Sequence, residues 1–276
     1  MIQNLFVTDA HCHIFPEKIA ARAVEGTDRF YGIRLSHGDG TVASLLREGV
    51  QGGIDRFVVH SVATTPKQAT SINRFIAGCV GQAPDRLTGL GTLHPDSDDL
   101  RRDVEEILAL GLHGVKLHPD IQGFRADDPR CLKIYDLCTA FDLPVLMHTG
   151  DKRYDNSNPN RILPLLVRYP SLTLVGAHFG GWSIWEEASR ELAGTPNLYV
   201  DCSSSFYALD DDAIRRIIER YTPDRVLFGS DYPMWDPAQE LERFLSLGYS
   251  RDEYRKMLSA NAAKVFRIGD DNERAS

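Results

Sequence analysis

The chain has 276 residues, 42% of them hydrophobic and 25% charged, and a formal net charge of −8. That length suits one barrel-sized domain, the composition is that of an ordinary globular protein, and the acidic balance excludes a basic nucleic-acid-binding surface. No apolar stretch approaches the roughly 18 residues of a membrane span and no signal-like leader opens the chain. The five cysteines, odd in number and without a C-x-x-C pair, indicate neither a disulfide framework nor a zinc finger. A cytoplasmic protein is expected.

The first apolar run, 5–11, leads into Asp9-Ala10-His11-Cys12-His13. Two histidines at i and i+2, where a strand runs out, aim a ring nitrogen each at one point, as metal ligands do. Cys12 between them points the other way and reads as a packed thiol. The segment 14–40 then carries Phe15, Phe30, Tyr31 and several glycines, and reads as a long loop forming a lid over a barrel mouth. After it, helical and strand-like patterns alternate. Helix 42–49 precedes strand 56–62, helix 67–81 precedes strand 87–93, and helix 100–111, closed by Gly111, precedes strand 114–118. Helix 129–141, opened by Asp128-Pro129, precedes strand 144–148. A polar loop over 149–160 leads to helix 161–169, strand 172–178, helix 183–193, strand 198–202, helix 212–221, strand 225–231 and helix 239–247. A last helix over 251–266 would close a barrel floor or make a homodimer contact, and the polar tail 270–276 is expected to fray.

Strands alternating with helices imply a parallel sheet. Eight such units imply a single α/β domain over 1–276, closed as a (β/α)8 TIM barrel. An open dinucleotide-binding sheet is disfavoured, because no G-x-G-x-x-G follows the first strand.

The histidines decide more than any one motif. Of nine, seven (His11, His13, His60, His94, His118, His148, His178) fall at or just after a strand end, where a barrel enzyme places its chemistry. His11, His13, His148 and His178, with Asp231 at the end of the last strand, form a nitrogen and oxygen donor set for a divalent ion, zinc by default. Such an ion activates water near neutral pH. Asp231 serves as a ligand or as a base, and the pattern does not separate the two. Lys116 and His118 lie two apart and so face the same side of their strand; His118 would contact substrate or orient a ligand. Lys152 and Arg153, following His148, suggest an acidic substrate, against the reading of a solvated loop paired with Asp151 and Asp155. Tyr154, Trp182 and Trp235 would stack on a flat substrate or pack loops against the barrel. His60 and His94 line the mouth without an assigned role.

His11-x-His13, the strand-five and strand-six histidines, Gly176-Ala177-His178-Phe179-Gly180-Gly181, Phe228-Gly229-Ser230-Asp231-Tyr232-Pro233 and Asn261-Ala262-Ala263-Lys264-Val265-Phe266 together resemble the amidohydrolase superfamily. The most similar branch is the amidohydrolase-related group, which contains aminocarboxymuconate-semialdehyde decarboxylase. The resemblance implies His11, His13, His148 and Asp231 as ligands of one ion, with His178 as the proton-transfer residue. In binuclear members a carboxylated lysine on strand four bridges two metals, and Lys116 in Gly114-Val115-Lys116-Leu117-His118-Pro119 stands near that point; the bridge and a plain ammonium both remain open. The expected function is metal-dependent hydrolysis of a small, carboxylate-bearing amide or lactone. The alternative is a non-oxidative decarboxylase or hydratase of an unsaturated or aromatic acid. The expected partner is a small acidic molecule, with neither nucleic acid nor membrane.

Overall fold

The computed structural model describes residues 5–32 and 37–269. Nine short strand segments run in parallel: β1 (Thr8–His13), β2 (Arg56–His60), β3 (Leu87–Gly89), β4 (Gly91–Thr92), β5 (Val115–Leu117), β6 (Val145–Met147), β7 (Leu174–Gly176), β8 (Leu198–Asp201) and β9 (Val226–Leu227). Each pairs with the next in chain order, β1 to β3 and β4 to β9. β3 and β4 are one run interrupted at Leu90, whose N–H reaches Val59 O at 2.9 Å while Gly91 N–H reaches Gly114 O at 2.9 Å. At the other seam Ala10 N–H donates to Phe228 O at 2.9 Å, Asp231 N–H to His11 O at 2.9 Å and His13 N–H to Tyr232 O at 2.7 Å. These bonds join β1 to the chain after β9, so eight strands close into a TIM barrel.

Alternation along the strands sorts their side chains. Phe57, Val59, Val115, Leu117, Val145, Met147, Leu174 and Val200 face outward into the core beneath the helices. Ala10, Val58, Leu90, Leu146, Val175, Tyr199 and Leu227 face inward as a layer inside the barrel. β5 breaks that layer. In register with Leu146, Val175 and Tyr199 it places Lys116, fully buried.

The surrounding helices are α1 (Glu17–Tyr31), α2 (Val42–Gln51), α3 (Ala69–Gln82), α4 (Leu100–Ala109), α5 (Pro119–Gln122), α6 (Pro129–Ala140), α7 (Pro159–Arg168), α8 (Trp185–Leu192), α9 (Asp211–Tyr221), α10 (Pro237–Leu245), α11 (Arg251–Arg255) and α12 (Asn261–Phe266). Asp99 and Asp128 accept backbone N–H bonds at the starts of α4 and α6, and Gly111 follows α4 with φ of 68°.

The segment 14–40 departs from the expected loop. It carries α1, whose Ala20 and Val24 are buried and which Gly32 ends at φ of 68°. Alanines and long charged side chains favour helix there, and the lone Gly26 does not outweigh them. The 251–266 helix is a continuous run of α11, a π-helical turn (Lys256–Ala260) and α12. Ala262, Val265 and Phe266 pack onto the inward layer, so this segment covers the barrel floor. The tail 270–276 lies outside the described residues. No helix among the described residues is long and apolar enough to cross a membrane.

Candidate metal centre

β1 delivers His11 and His13 to the carboxyl end of the barrel, while Cys12 between them is buried in the outer core. His11 Nε2 lies 3.2 Å from His13 Nε2, and Asp231 Oδ1 lies 3.3 Å and 3.4 Å from those two nitrogens. Three acceptor atoms thus form a nearly equilateral triangle with no hydrogen needed between them. Bonds of about 2.0–2.2 Å to one ion give donor separations of about 2.8–3.1 Å in octahedral and about 3.3–3.6 Å in tetrahedral geometry. The triangle has that size.

Each donor is oriented from behind. Asp201, at the end of β8, accepts a bond from His11 Nδ1 at 2.9 Å, which leaves the His11 Nε2 lone pair facing His13. Asp201 Oδ1 in turn accepts the backbone N–H groups of His178 and Ser203, both at 3.1 Å. Asp9 Oδ1 accepts the N–H groups of His11 at 3.1 Å and Ser230 at 2.9 Å, bracing the seam between β1 and β9. Trp235 Nε1 donates to Ser204 Oγ at 2.8 Å, and that hydroxyl donates to Asp231 Oδ2 at 2.5 Å. Asp231 and His178 hold φ of 64° and 59°, a left-handed conformation that non-glycine residues adopt at a cost.

His148 and His178 form the second half of the site. His178 Nδ1 donates to Ser203 O at 3.0 Å, so its Nε2 presents a lone pair. That atom faces His148 Nδ1 at 3.0 Å. His148 Nε2 is buried, has no hydrogen-bond partner and points toward Asp120 Oδ2 at 3.5 Å, which is itself unpartnered. A proton on His148 Nε2, beside that carboxylate, leaves two lone pairs facing each other across 3.0 Å. A cation between them resolves the conflict. Lys116 Nζ, 3.0 Å from His11 Nε2, stands beside the first donor group.

Burial sets the charge states. It holds His11, His13 and His148 well below the usual histidine range and lowers His178 to about 4, so the rings are neutral with lone pairs available. Burial lowers Lys116 to about 8 and raises Asp231 to about 7. The donor set fits a divalent metal ion.

His11, His13, Lys116, His148, His178 and Asp231 therefore converge, and with His118 they line a cavity of about 650 Å³. The 149–160 loop does something different. Arg153 pairs with Asp151 at 2.7 Å and donates to Phe30 O at 2.8 Å. Its guanidinium lies 5.1–5.4 Å from the ring centres of Phe30, Tyr31, Tyr154 and Trp182. Arg153, Tyr154 and Trp182 thus clamp the end of α1, and Lys152 is exposed beside them; none of the four lines the cavity among the described residues. Trp235 stacks on Tyr207 with ring centres 4.9 Å apart. His94 Nδ1 accepts Asp96 N–H at 3.2 Å, a turn bond away from the donors. His60 is buried 5.0 Å and 4.5 Å from the rings of His11 and His13.

Three participants escaped sequence reasoning. Asp201 ends β8 and Ser203 follows two residues later, and a lone acid closing an apolar run was the available signal. Tyr31, held by that clamp, accepts from His118 Nε2 at 2.9 Å and reaches His148 Nδ1 at 3.4 Å. The sequence places it in the segment expected over the barrel mouth, but nothing local marks its contacts with the two histidines.

The amidohydrolase family model matches residues 8–268. The chain belongs to the amidohydrolase family. Over 121 residues it is 31% identical to the 2-amino-3-carboxymuconate-6-semialdehyde decarboxylase of Dictyostelium discoideum, a match spanning 41% of this chain and 33% of that protein's length. Three solved structures share the fold. A TIM-barrel protein of Bordetella bronchiseptica superposes with a TM-score of 0.78 at 24% identity, covering 96% of this chain and 99% of that one. The 5-carboxyvanillate decarboxylase of Sphingomonas paucimobilis gives 0.72 at 20% identity, covering 96% and 100%. A dihydroxybenzoic acid decarboxylase from a Polaromonas species, with bound manganese and 2-nitroresorcinol, gives 0.71 at 16% identity, covering 98% and 99%. The Dictyostelium relative and two of these three structures carry decarboxylase names.

Proposed function

We propose that this protein is a metal-dependent non-oxidative decarboxylase of an unsaturated or aromatic carboxylic acid. What supports the reading most is the combination of a metal-fitting donor set and one buried lysine at an otherwise uncharged cavity, alongside a relative and solved structures that are named decarboxylases. His11, His13, His148 and Asp231 would hold the ion, with His178 beside it. When bound, a divalent ion supplies Lewis acidity toward oxygen atoms of the acid. Zinc and manganese both suit nitrogen and carboxylate donors, and two decarboxylase structures of this fold carry manganese.

This chain's own groups account for the rest. The Lys116 ammonium supplies a fixed positive charge in low dielectric, which attracts an acid. The carbon–carbon bond breaks with its electron pair left on the substrate carbon, carbon dioxide departs, and one proton must reach that carbon. His178 and Asp231 are the proton carriers in place, and Tyr31 with His118 offers a hydroxyl at the same wall. Hydrolysis remains the second reading on one observation, the approach of Lys116 Nζ to His11, which suits a carboxylated bridge.

The deciding assay incubates metal-loaded protein with hydroxybenzoic and muconic-type acids and, separately, with lactones and amides. Carbon dioxide release that stops on chelation and returns with metal is expected. Ring opening of a lactone without carbon dioxide would make the hydrolase reading the correct one.

A further inference from the structure

The cavity extends well beyond the donor atoms. From α1 it is lined by Ile19, Ala23 and Phe30, which share one helical face, and from α3 by Ile72 and Phe75. Ile19, Ala23 and Phe30 are not core positions, whereas Ile72 and Phe75 also pack partly against the outer core. The buried face of α1 carries Ala20 and Val24 instead, and Ile19 is 40% exposed. The charged residues of α1 (Glu17, Lys18, Arg22, Glu25, Asp28, Arg29) do not line the cavity. Among the described lining residues the only lysine and the only carboxylate, Lys116 and Asp231, both lie at the metal end. The cavity therefore has a charged end and an uncharged, mainly apolar arm, in which Thr27, Thr64, Gln68 and Ser71 are the polar lining. From Ile19 to Phe30 that arm runs roughly 16 Å along the helix axis. A volume of about 650 Å³ lies in the range that encloses ligands much larger than a single-ring acid.

We infer that the substrate carries a long apolar substituent, an alkyl or acyl chain, lying between α1 and α3 while its carboxylate end sits at the metal donors. An apolar face left open beside a reactive centre is filled by ligand when the enzyme works. The decarboxylase reading enters only in naming the acidic head group.

The experiment is calorimetric binding of 4-alkylbenzoic acids, methyl through octyl, to the metal-loaded protein. Each added methylene is expected to tighten binding about three- to four-fold. A bulky side chain in the arm should end that gain after the first few carbons, so Ala23→Trp and Ile72→Trp are both made, with metal stoichiometry and thermal midpoint measured to establish that they fold. A flat affinity across the series in the unmodified protein overturns the inference. So does an unchanged slope in both tryptophan variants. Failure of the decarboxylase reading looks different: the length dependence persists, but the corresponding 4-alkyl-2-hydroxybenzoic acids lose no carbon dioxide.

Discussion

Asp201→Asn is the sharpest test of how the metal donors are oriented. The substitution keeps shape and volume. Asp201 Oδ1 is held by two backbone N–H groups, those of His178 and Ser203, and by the Ser203 hydroxyl. In the asparagine the carbonyl oxygen must stay on that side, so the amide NH2 turns toward His11 Nδ1, 2.9 Å away in the parent. Two donors cannot face each other. His11 must then move its proton to Nε2, the atom 3.2 Å from His13 Nε2 and 3.3 Å from Asp231 Oδ1. That proton occupies the lone pair a metal needs. Restoring the productive tautomer sets two buried donors against each other, an unmet hydrogen bond that costs about 1–3 kcal/mol. Metal affinity should fall about 10- to 100-fold, the range typical of partners behind a metal ligand. Competition with a fluorescent chelator at pH 7.5 measures this, and circular dichroism establishes that the variant folds. Affinity within two-fold of the parent would refute the tautomer argument and leave Asp201 as packing alone.

Glu240 is buried, its Oε2 has no partner, and burial raises its carboxyl to about 8. Its folded form keeps a proton that the unfolded chain sheds above about pH 4.5, so its contribution to stability is complete below that pH and is lost as pH rises toward 8. Glu240→Gln should flatten this slope, with a gain at pH 8 of at most about 5 kcal/mol; urea midpoints at pH 5 and 8 that shift equally would contradict it. Arg153→Ala removes the partner of Asp151, which is 1% exposed against 30% for the arginine. It should cost about 2 kcal/mol after allowing for solvent on the arginine side and speed tryptic cleavage within α1, whereas an unchanged cleavage rate would mean that the clamp does not hold the helix. Both ring nitrogens of His60 are buried without partners. His60→Leu should therefore stabilise the chelator-treated protein by about 1–2 kcal/mol, and a lower urea midpoint would count against that reasoning.

Much of this protein is local in sequence. Eight alternating units, read from apolar runs and helix punctuation, correspond to eight barrel strands, because parallel strands buried on both faces must be short and apolar. His11, His13, His148, His178 and Asp231 were legible for the same reason: polar residues that end apolar runs all emerge at one rim of the barrel, whereas Lys116, inside its strand, was legible only through the family resemblance. The helical character of 17–31 was missed because aromatics and glycines looked like loop chemistry, while its alanines decided the local conformation.

The sequence by itself thus determined the barrel and the residue types at its rim, since strand periodicity is set by neighbours two to four positions away. Which nitrogen of each ring faces inward is set in three dimensions: Asp201 accepts from His11 Nδ1 across 190 positions of chain, and the Asp120 carboxylate stands 3.5 Å from His148 Nε2 across 28. The same holds for Arg153. Beside His148 in sequence it reads as a substrate ligand, but in space it meets Asp151 and four aromatic rings, and a guanidinium already paired and stacked has little left to offer an acid. Contacts between loops from different strands carry no sequence period, so only folding brings Tyr31 to the site.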